Sequence, residues 1–321
     1  MHSLLTPMSE TSPLNRHPFT EIVPVFSGGG TRLPCYVGIL KALEQLHVSY
    51  QHVVGVSGGS IVAALLAAGH DLAHIQRLVM ETDYRQFRHY SFLELVRHGG
   101  LCNGNYFESW LDQQLGGMTF SQLPMDLYVL ATDIRSGAAV VFSKATTPHT
   151  KVSAAVRCSM SIPLLYSFKR YGDQLLTDGV ILADEMLHQD WSTRGIPVIC
   201  FRLRSHSVIR AKATPRFFPL VHYFTLLTQT LMNALSRDFI ATKYWSQTVV
   251  VHTDPIGSVN FKLTRAQKEF LATLGYDTTL QVLQHKTVVS ARKSSTTAMV
   301  NAESWPEYDS KTQQAATSEC F

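Results

Sequence analysis

The stretch Gly55-Val56-Ser57-Gly58-Gly59 has the pattern Gly-x-Ser-x-Gly, in which a serine lies on a tight turn between a strand and a helix. The apolar run 52–54 precedes it and the small apolar run 61–68 follows it, as that turn requires. Its glycines let strand and helix approach closely and leave room over the Ser57 hydroxyl. The Gly58 amide would lie at the helix N-terminus, where it stabilises an oxyanion. The pattern therefore predicts a nucleophilic serine.

Three successive glycines, Gly28-Gly29-Gly30, follow a predicted strand over 22–26 and precede Arg32 and a predicted helix over 33–46. Consecutive N–H groups in such a loop surround a negatively charged atom. Neither G-x-G-x-x-G nor a Gly-Lys-Ser/Thr ending is present, which disfavours a nucleotide-phosphate loop. A tight turn with a surface arginine is another alternative. Pairing with Ser57 favours an oxyanion hole, with Arg32 fixing the loop or holding a charged headgroup.

A candidate base is Asp178, which stands with Gly179 at the end of a predicted strand over 174–177. An aspartate in this position either serves only to form the turn or is held there as a proton acceptor.

The elements that would position these residues alternate between strands and helices, which predicts one large α/β domain. Residues 99–105 are expected to form a loop. Further strands are predicted over 126–133, 138–143 (a hairpin with the strand before it), 166–171, 197–203 and 248–252. Further helices are predicted over 71–82, 105–115, 151–160 and 264–286.

Residues 217–236 contain no Asp, Glu, Lys or Arg and show helical spacing of apolar side chains. We interpret the segment as a helix packed on the sheet, with an interfacial membrane-binding helix and a membrane span as alternatives.

Composition and charge indicate which partners, location and cofactors to expect. The net charge of +4 allows contact with an anionic membrane surface, but no basic cluster indicates nucleic acid. Five scattered cysteines without metal spacing indicate free thiols and a reducing, cytoplasmic location. No Sec signal is visible in residues 1–20, which are expected to be a flexible leader. The tail over 288–321 is expected to be disordered. No metal site and no cofactor are predicted.

Taken together, Gly28-Gly29-Gly30-Thr31-Arg32, Gly55-Val56-Ser57-Gly58-Gly59 and Asp178-Gly179 resemble the three motifs of the patatin-like phospholipase family, in the family's order. The likeness extends from about Ile22 to Leu283, and a domain over 21–287 is expected. Further matching segments are 99–101, 131–134, 159–163, 261–263 and 267–268.

This resemblance implies a three-layer α/β/α fold with a mostly parallel central sheet, and a Ser-Asp dyad without a catalytic histidine. Ser57 would be the nucleophile, Asp178 its base and the Gly28–Gly30 loop the oxyanion hole, with Arg32 at the family's basic position. The implied substrate is a phospholipid or another acyl ester at a membrane surface. Leu33 and Val180 depart from the family pattern, which usually has small residues there.

Two rival functions are left open. A Ser-Asp-His α/β-hydrolase esterase would use one of the histidines that follow Asp178. The candidates are His188, His206, His222 and His252. A non-catalytic lipid-binding module that retains the motifs is the other.

Overall fold

The computed structural model describes residues 20–88, 91, 97, 99–181, 186–205, 223, 226, 227, 230 and 242–300. The leader over residues 1–19, most of the predicted helix over 217–236, His206, His222, Cys320 and the tail after Val300 lie outside these residues.

Ten strands are present in this part of the chain. They are β1 (Val23–Ser27), β2 (His52–Val56), β3 (Gly100–Cys102), β4 (Asp126–Asp133), β5 (Ala138–Phe142), β6 (Leu164–Tyr166), β7 (Lys169–Tyr171), β8 (Gln174–Asp178), β9 (Val198–Arg204) and β10 (Thr248–His252).

The α-helices alternate with these strands in the chain. They are α1 (Leu33–Gln45), α2 (Gly58–Ala67), α3 (Leu72–Glu81), α4 (Asn105–Gln114), α5 (Val152–Ser159) and α6 (Arg265–Val300).

The central sheet has the strand order β10-β9-β1-β2-β4-β8-β7, and β5 pairs with β4. Strands β10, β9, β1, β2 and β4 run parallel, whereas β5, β7 and β8 join in antiparallel pairs. The short strands β3 and β6 form a separate parallel pair. Because β1 and β2 are parallel neighbours, the glycine loop that follows β1 and the serine turn that follows β2 emerge at the same edge of the sheet.

Alternating side chains of the central strands enter two hydrophobic clusters, one on each face of the sheet. Phe26 and Val53 belong to the larger cluster, which includes apolar side chains of all six helices. Val25 and Val54 face the smaller cluster, which is closed by Leu187 and Trp191. Helical segments cover both faces of a mixed, mostly parallel sheet, so the predicted three-layer α/β/α class is confirmed.

Most predicted elements agree with the observed ones to within two residues, but the segment 99–105 and the strand 166–171 were wrong. Residues 100–102 form β3 instead of a loop, and they pair with β6. The predicted strand over 166–171 is interrupted at Ser167, because its two halves pair with different partners, β3 and β8.

The last helix ends later than expected. It continues from residue 286 to Val300, within the segment that we expected to be a disordered tail. No glycine or proline interrupts the chain there before Pro306.

Within the described ranges, no helix has the length and apolar character needed to cross a membrane. The same residues include no group of three or more His, Cys, Asp or Glu side chains arranged to hold a metal ion.

A close helix contact gives a test of this packing. Gly275 of α6 lies against α1, and a Cβ there would come within 2.0 Å of the Cys35 carbonyl oxygen. Alanine favours an isolated helix over glycine by about 1 kcal/mol. In this fold we expect Gly275→Ala to destabilise the protein by about 1–3 kcal/mol instead, because backbone must move to make room. Urea unfolding measures the difference.

The matched control is Thr273→Ala, at an exposed position of the same helix. A Gly275→Ala protein as stable as the wild type would contradict the close contact between α1 and α6.

Candidate active site

Ser57 lies between β2 and α2 with φ of 52° and ψ of −132°, a strained conformation for a residue with a side chain. The glycines around it let three backbones meet. A Cβ on Gly58 would lie 2.5 Å from the Gly30 amide nitrogen, and one on Gly59 would lie 2.2 Å from the Phe26 carbonyl oxygen. Gly55 likewise faces the backbone of α2. The turn therefore has the sharp strand-to-helix geometry of a nucleophile elbow.

Asp178 reaches Ser57 because both approach the same point of β4. Val56 pairs with Leu130, and Asp178 pairs with the next residue of β4, Ala131. Ser57 Oγ donates a hydrogen bond of 2.6 Å to Asp178 Oδ2. Both side chains are 0% exposed. The structure thus brings together the two residues that the sequence predicts as nucleophile and base.

The carboxylate of Asp178 has a second hydrogen bond, since Val180 N–H donates to its Oδ1 over 2.9 Å. Burial nevertheless raises the pKa of Asp178 to about 6, against the effect of the hydrogen bonds from Ser57 and Val180. Gly179 packs directly against the Leu130 carbonyl, which leaves no space for a larger residue. Valine at position 180 differs from the small residue usual in the family, but its backbone N–H still holds the Asp178 carboxylate.

The glycine loop differs in detail from the prediction that Gly28, Gly29 and Gly30 all donate to an oxyanion. Gly28 N–H donates to the Val56 carbonyl at 3.1 Å and so continues the pairing of β1 with β2. Gly29 and Gly30 stand beyond this pairing, and Gly30 lies against Gly58 at the start of α2. The candidate oxyanion donors are therefore the amides of Gly29, Gly30 and Gly58.

Arg32 was predicted to be part of the oxyanion-hole loop, where it would either fix the loop or hold a charged headgroup. Its side chain points into the protein and is 2% exposed. Its guanidinium donates to the Gly29 carbonyl, to Thr253 Oγ1 at 2.7 Å and to the Leu203 carbonyl. These bonds tie the glycine loop to the ends of β9 and β10. Arg32 therefore fixes the loop, and its burial makes it inaccessible to a charged headgroup.

Two serines near the end of α5 support the dyad and were not singled out from the sequence. Ser159 Oγ accepts a hydrogen bond of 2.8 Å from Ser57 N–H. The Ser161 carbonyl accepts one from Asp178 N–H. The only sequence signal was their place in the segment 159–163 that matches the family pattern.

An apolar cavity begins beside the nucleophile. Met160, whose Sδ is 4.0 Å from Ser57 Oγ, lines it together with Gly30. The cavity is partly open to solvent. Other lining residues include Leu33, Ile61, Leu65, Val79, Tyr84, Phe107, Trp110 and Phe261. Such a lining is suited to a hydrocarbon chain.

The rival esterase hypothesis requires a histidine between Ser57 and Asp178. Two of its candidates, His188 and His252, lie in the part of the chain that the structure describes. Within the described residues, Ser57 Oγ donates its hydrogen bond to Asp178, and the Met160 sulfur lies 4.0 Å from the same oxygen. The ring of His188 stacks on Tyr244 with centroids 4.2 Å apart. The position between Ser57 and Asp178 is thus closed by their direct contact.

The model of the family described as patatin-like phospholipase matches residues 25–189, about half of the chain, including all three motifs. The chain belongs to the patatin-like phospholipase family. This membership supports lipid acyl hydrolase activity in general.

Relatives of similar length are found in distant sources. The uncharacterized protein R571 of Acanthamoeba polyphaga mimivirus is 27% identical over an alignment of 269 residues, which covers 78% of this chain and 89% of R571. The uncharacterized protein YqhO of Bacillus subtilis (strain 168) is 28% identical over an alignment of 275 residues, which covers 78% of this chain and 94% of YqhO. VipD from Legionella pneumophila shares the fold, with a TM-score of 0.54, 16% identity and coverage of 84% of this chain and 67% of VipD.

The raised pKa of Asp178 has a consequence for stability. Because the pKa is higher in the folded protein than its ordinary value of 3.8, folding favours the protonated carboxyl, and stability falls as the pH rises from about 4 to about 6. We expect Asp178→Asn to be more stable than the wild type by about 3 kcal/mol at pH 8, and this difference to shrink towards pH 4. Urea unfolding at several pH values measures it.

Asp277→Asn, the same substitution at an exposed position of α6, is the control. An Asp178→Asn protein no more stable than the wild type at pH 8 would contradict the buried, destabilising carboxylate.

Proposed function

We propose that this protein is a serine acyl hydrolase that releases fatty acids from membrane phospholipids or related acyl esters by means of a Ser57–Asp178 dyad. The observation that carries the proposal is the buried hydrogen bond of 2.6 Å from Ser57 to Asp178, beside an apolar cavity that Met160 and Gly30 line. Family membership supports the general activity. The dyad and the substrate are our assignment.

In the proposed first step Ser57 Oγ attacks the ester carbonyl and transfers its proton to Asp178 Oδ2. The amides of Gly29, Gly30 and Gly58 stabilise the negative charge that develops on the carbonyl oxygen. Collapse of the tetrahedral intermediate takes the proton from Asp178 to the departing alcohol and leaves an acyl group on Ser57. Water then attacks this ester while Asp178 accepts its proton, and Asp178 returns the proton to Ser57 Oγ as the fatty acid leaves.

The environment of Asp178 favours this role. A carboxylate with an ordinary pKa is a weak base at neutral pH, whereas a pKa of about 6 brings it closer to the working pH. The dyad is also buried away from solvent, which strengthens the interaction of the amides with the oxyanion.

The apolar cavity would take the acyl chain and leave the headgroup outside. We place the reaction at a membrane surface, to which the protein binds peripherally.

The test is fatty-acid release from mixed phospholipid vesicles, with the products identified by mass. We expect Ser57→Ala and Asp178→Asn each to lower the rate by at least about a thousandfold, because each removes a group that acts only in the chemical step. Ser109→Ala and Asp277→Asn make the same changes at exposed positions and should retain the wild-type rate.

Release by Ser57→Ala within tenfold of the wild-type rate would contradict the proposal. Vesicle binding by the wild type without release from any lipid class would favour the lipid-binding module instead. A histidine variant as inactive as Asp178→Asn would favour the Ser-Asp-His esterase.

A further inference from the structure

A lysine outside the catalytic dyad occupies an unusual position at the start of the last helix. Lys268 is 5% exposed, although lysine is rarely buried. The first turn of α6 is fixed by a reciprocal cap, in which Gln267 N–H donates to Thr264 Oγ1 and Thr264 N–H donates to Gln267 Oε1. The Lys268 side chain therefore projects from a well-anchored helix end.

The ammonium group of Lys268 donates to three main-chain carbonyls at the end of α3. They belong to Val79 at 3.1 Å, Met80 at 3.0 Å and Thr82 at 2.7 Å. The last carbonyls of a helix have no partner within the helix, and a cation there also interacts favourably with the helix dipole. An ammonium has three N–H donors, so this site uses its full capacity.

Tyr84 completes the arrangement. Its ring centroid is 4.2 Å from Lys268 Nζ, a cation–π distance, and its hydroxyl donates to the Val79 carbonyl over 2.8 Å. Lys268 and Tyr84 thus hold the turn over 79–84 from two sides. The hydrogen bonds of Lys268 go to this turn and leave Ser57 and Asp178 untouched.

The turn over 79–84 is also a wall of the apolar cavity. Val79, Thr82 and Tyr84 line the cavity, with Ile61 and Leu65 of α2 among the other lining residues. The position of the turn therefore sets how much of an acyl chain the cavity accepts.

We propose that Lys268 is a positioning residue for substrate selection: by holding the end of α3 it fixes the wall of the acyl cavity and sets the preferred acyl chain. The inference rests on the proposed function. Without the ammonium, the Met80 and Thr82 carbonyls lose this donor and the Val79 carbonyl keeps only the Tyr84 hydroxyl, so the turn must shift to reach other partners. Long chains that extend to this wall are affected, whereas short chains that stay beside Ser57 are not.

The experiment compares hydrolysis of p-nitrophenyl butyrate and p-nitrophenyl palmitate by the wild type and by Lys268→Met. Methionine keeps a similar length and removes the charge. We expect KM for palmitate to rise about tenfold, while kcat and KM for butyrate stay within twofold of the wild type. Lys268→Arg, which keeps a cation with several donors, should recover part of the palmitate preference. Lys262→Met makes the same substitution at a nearby exposed lysine and should leave both substrates unchanged.

A palmitate-to-butyrate ratio equal to that of the wild type, or an equal loss for both esters, would overturn the inference. If Lys268→Met does not fold, Tyr84→Phe is the test, because it removes only the hydroxyl that donates to the Val79 carbonyl. This variant should change the palmitate-to-butyrate ratio of kcat/KM in the same direction by a smaller factor. An unchanged ratio would overturn the inference. Failure of the wild type to hydrolyse either ester would instead count against the proposed function.

Discussion

The hydrogen bond between Ser57 and Asp178 is the interaction on which the rest of the structure depends. It joins a strained turn after β2 to the last residue of β8 in a place without solvent. Neither condition is favourable by itself, because a positive φ costs energy at Ser57 and burial opposes ionisation of Asp178. The surrounding residues must therefore hold Ser57 and Asp178 in place, and most of the other contacts of the site serve this purpose.

Three supports come from separate parts of the chain. The end of α5 holds the backbone amides of both dyad residues through Ser159 and Ser161. Arg32 ties the glycine loop to Thr253, and Thr31 N–H donates to the Ser258 carbonyl. The region after β10 is thus as much a part of the site as the three motifs, although it lies beyond the residues that the family model matches.

Much of the fold and the dyad could be predicted from the sequence, because the signals are local. The strand, glycine turn and helix around Ser57 follow one another directly, and the Asp178-Gly179 pair ends its own strand. The hydrogen-bond partner of each glycine amide was less predictable. Gly28 N–H donates to the Val56 carbonyl, a contact that depends on the register of β1 and β2 and that no local sequence pattern indicates.

Contacts between distant segments account for what the sequence did not reveal. Arg32 reaches Thr253 and Lys268 reaches the end of α3, and each pairing depends on the folded arrangement of the sheet and helices. Similarly, the strand predicted over 166–171 is divided because its first part pairs with β3 and its second part pairs with β8. The periodicity of a single segment contains no information about such partners.

The central claim is that Asp178 is the base that activates Ser57. The most direct measurement is the rate at which a fluorophosphonate labels Ser57, followed by intact mass as a function of pH. We predict that the wild-type rate rises with pH through about 6 and then levels off, as Asp178 loses its proton. Asp178→Asn should label at least about a hundredfold more slowly and without this rise. The same pH profile and rate in Asp178→Asn would contradict the account, because another group would then be the base.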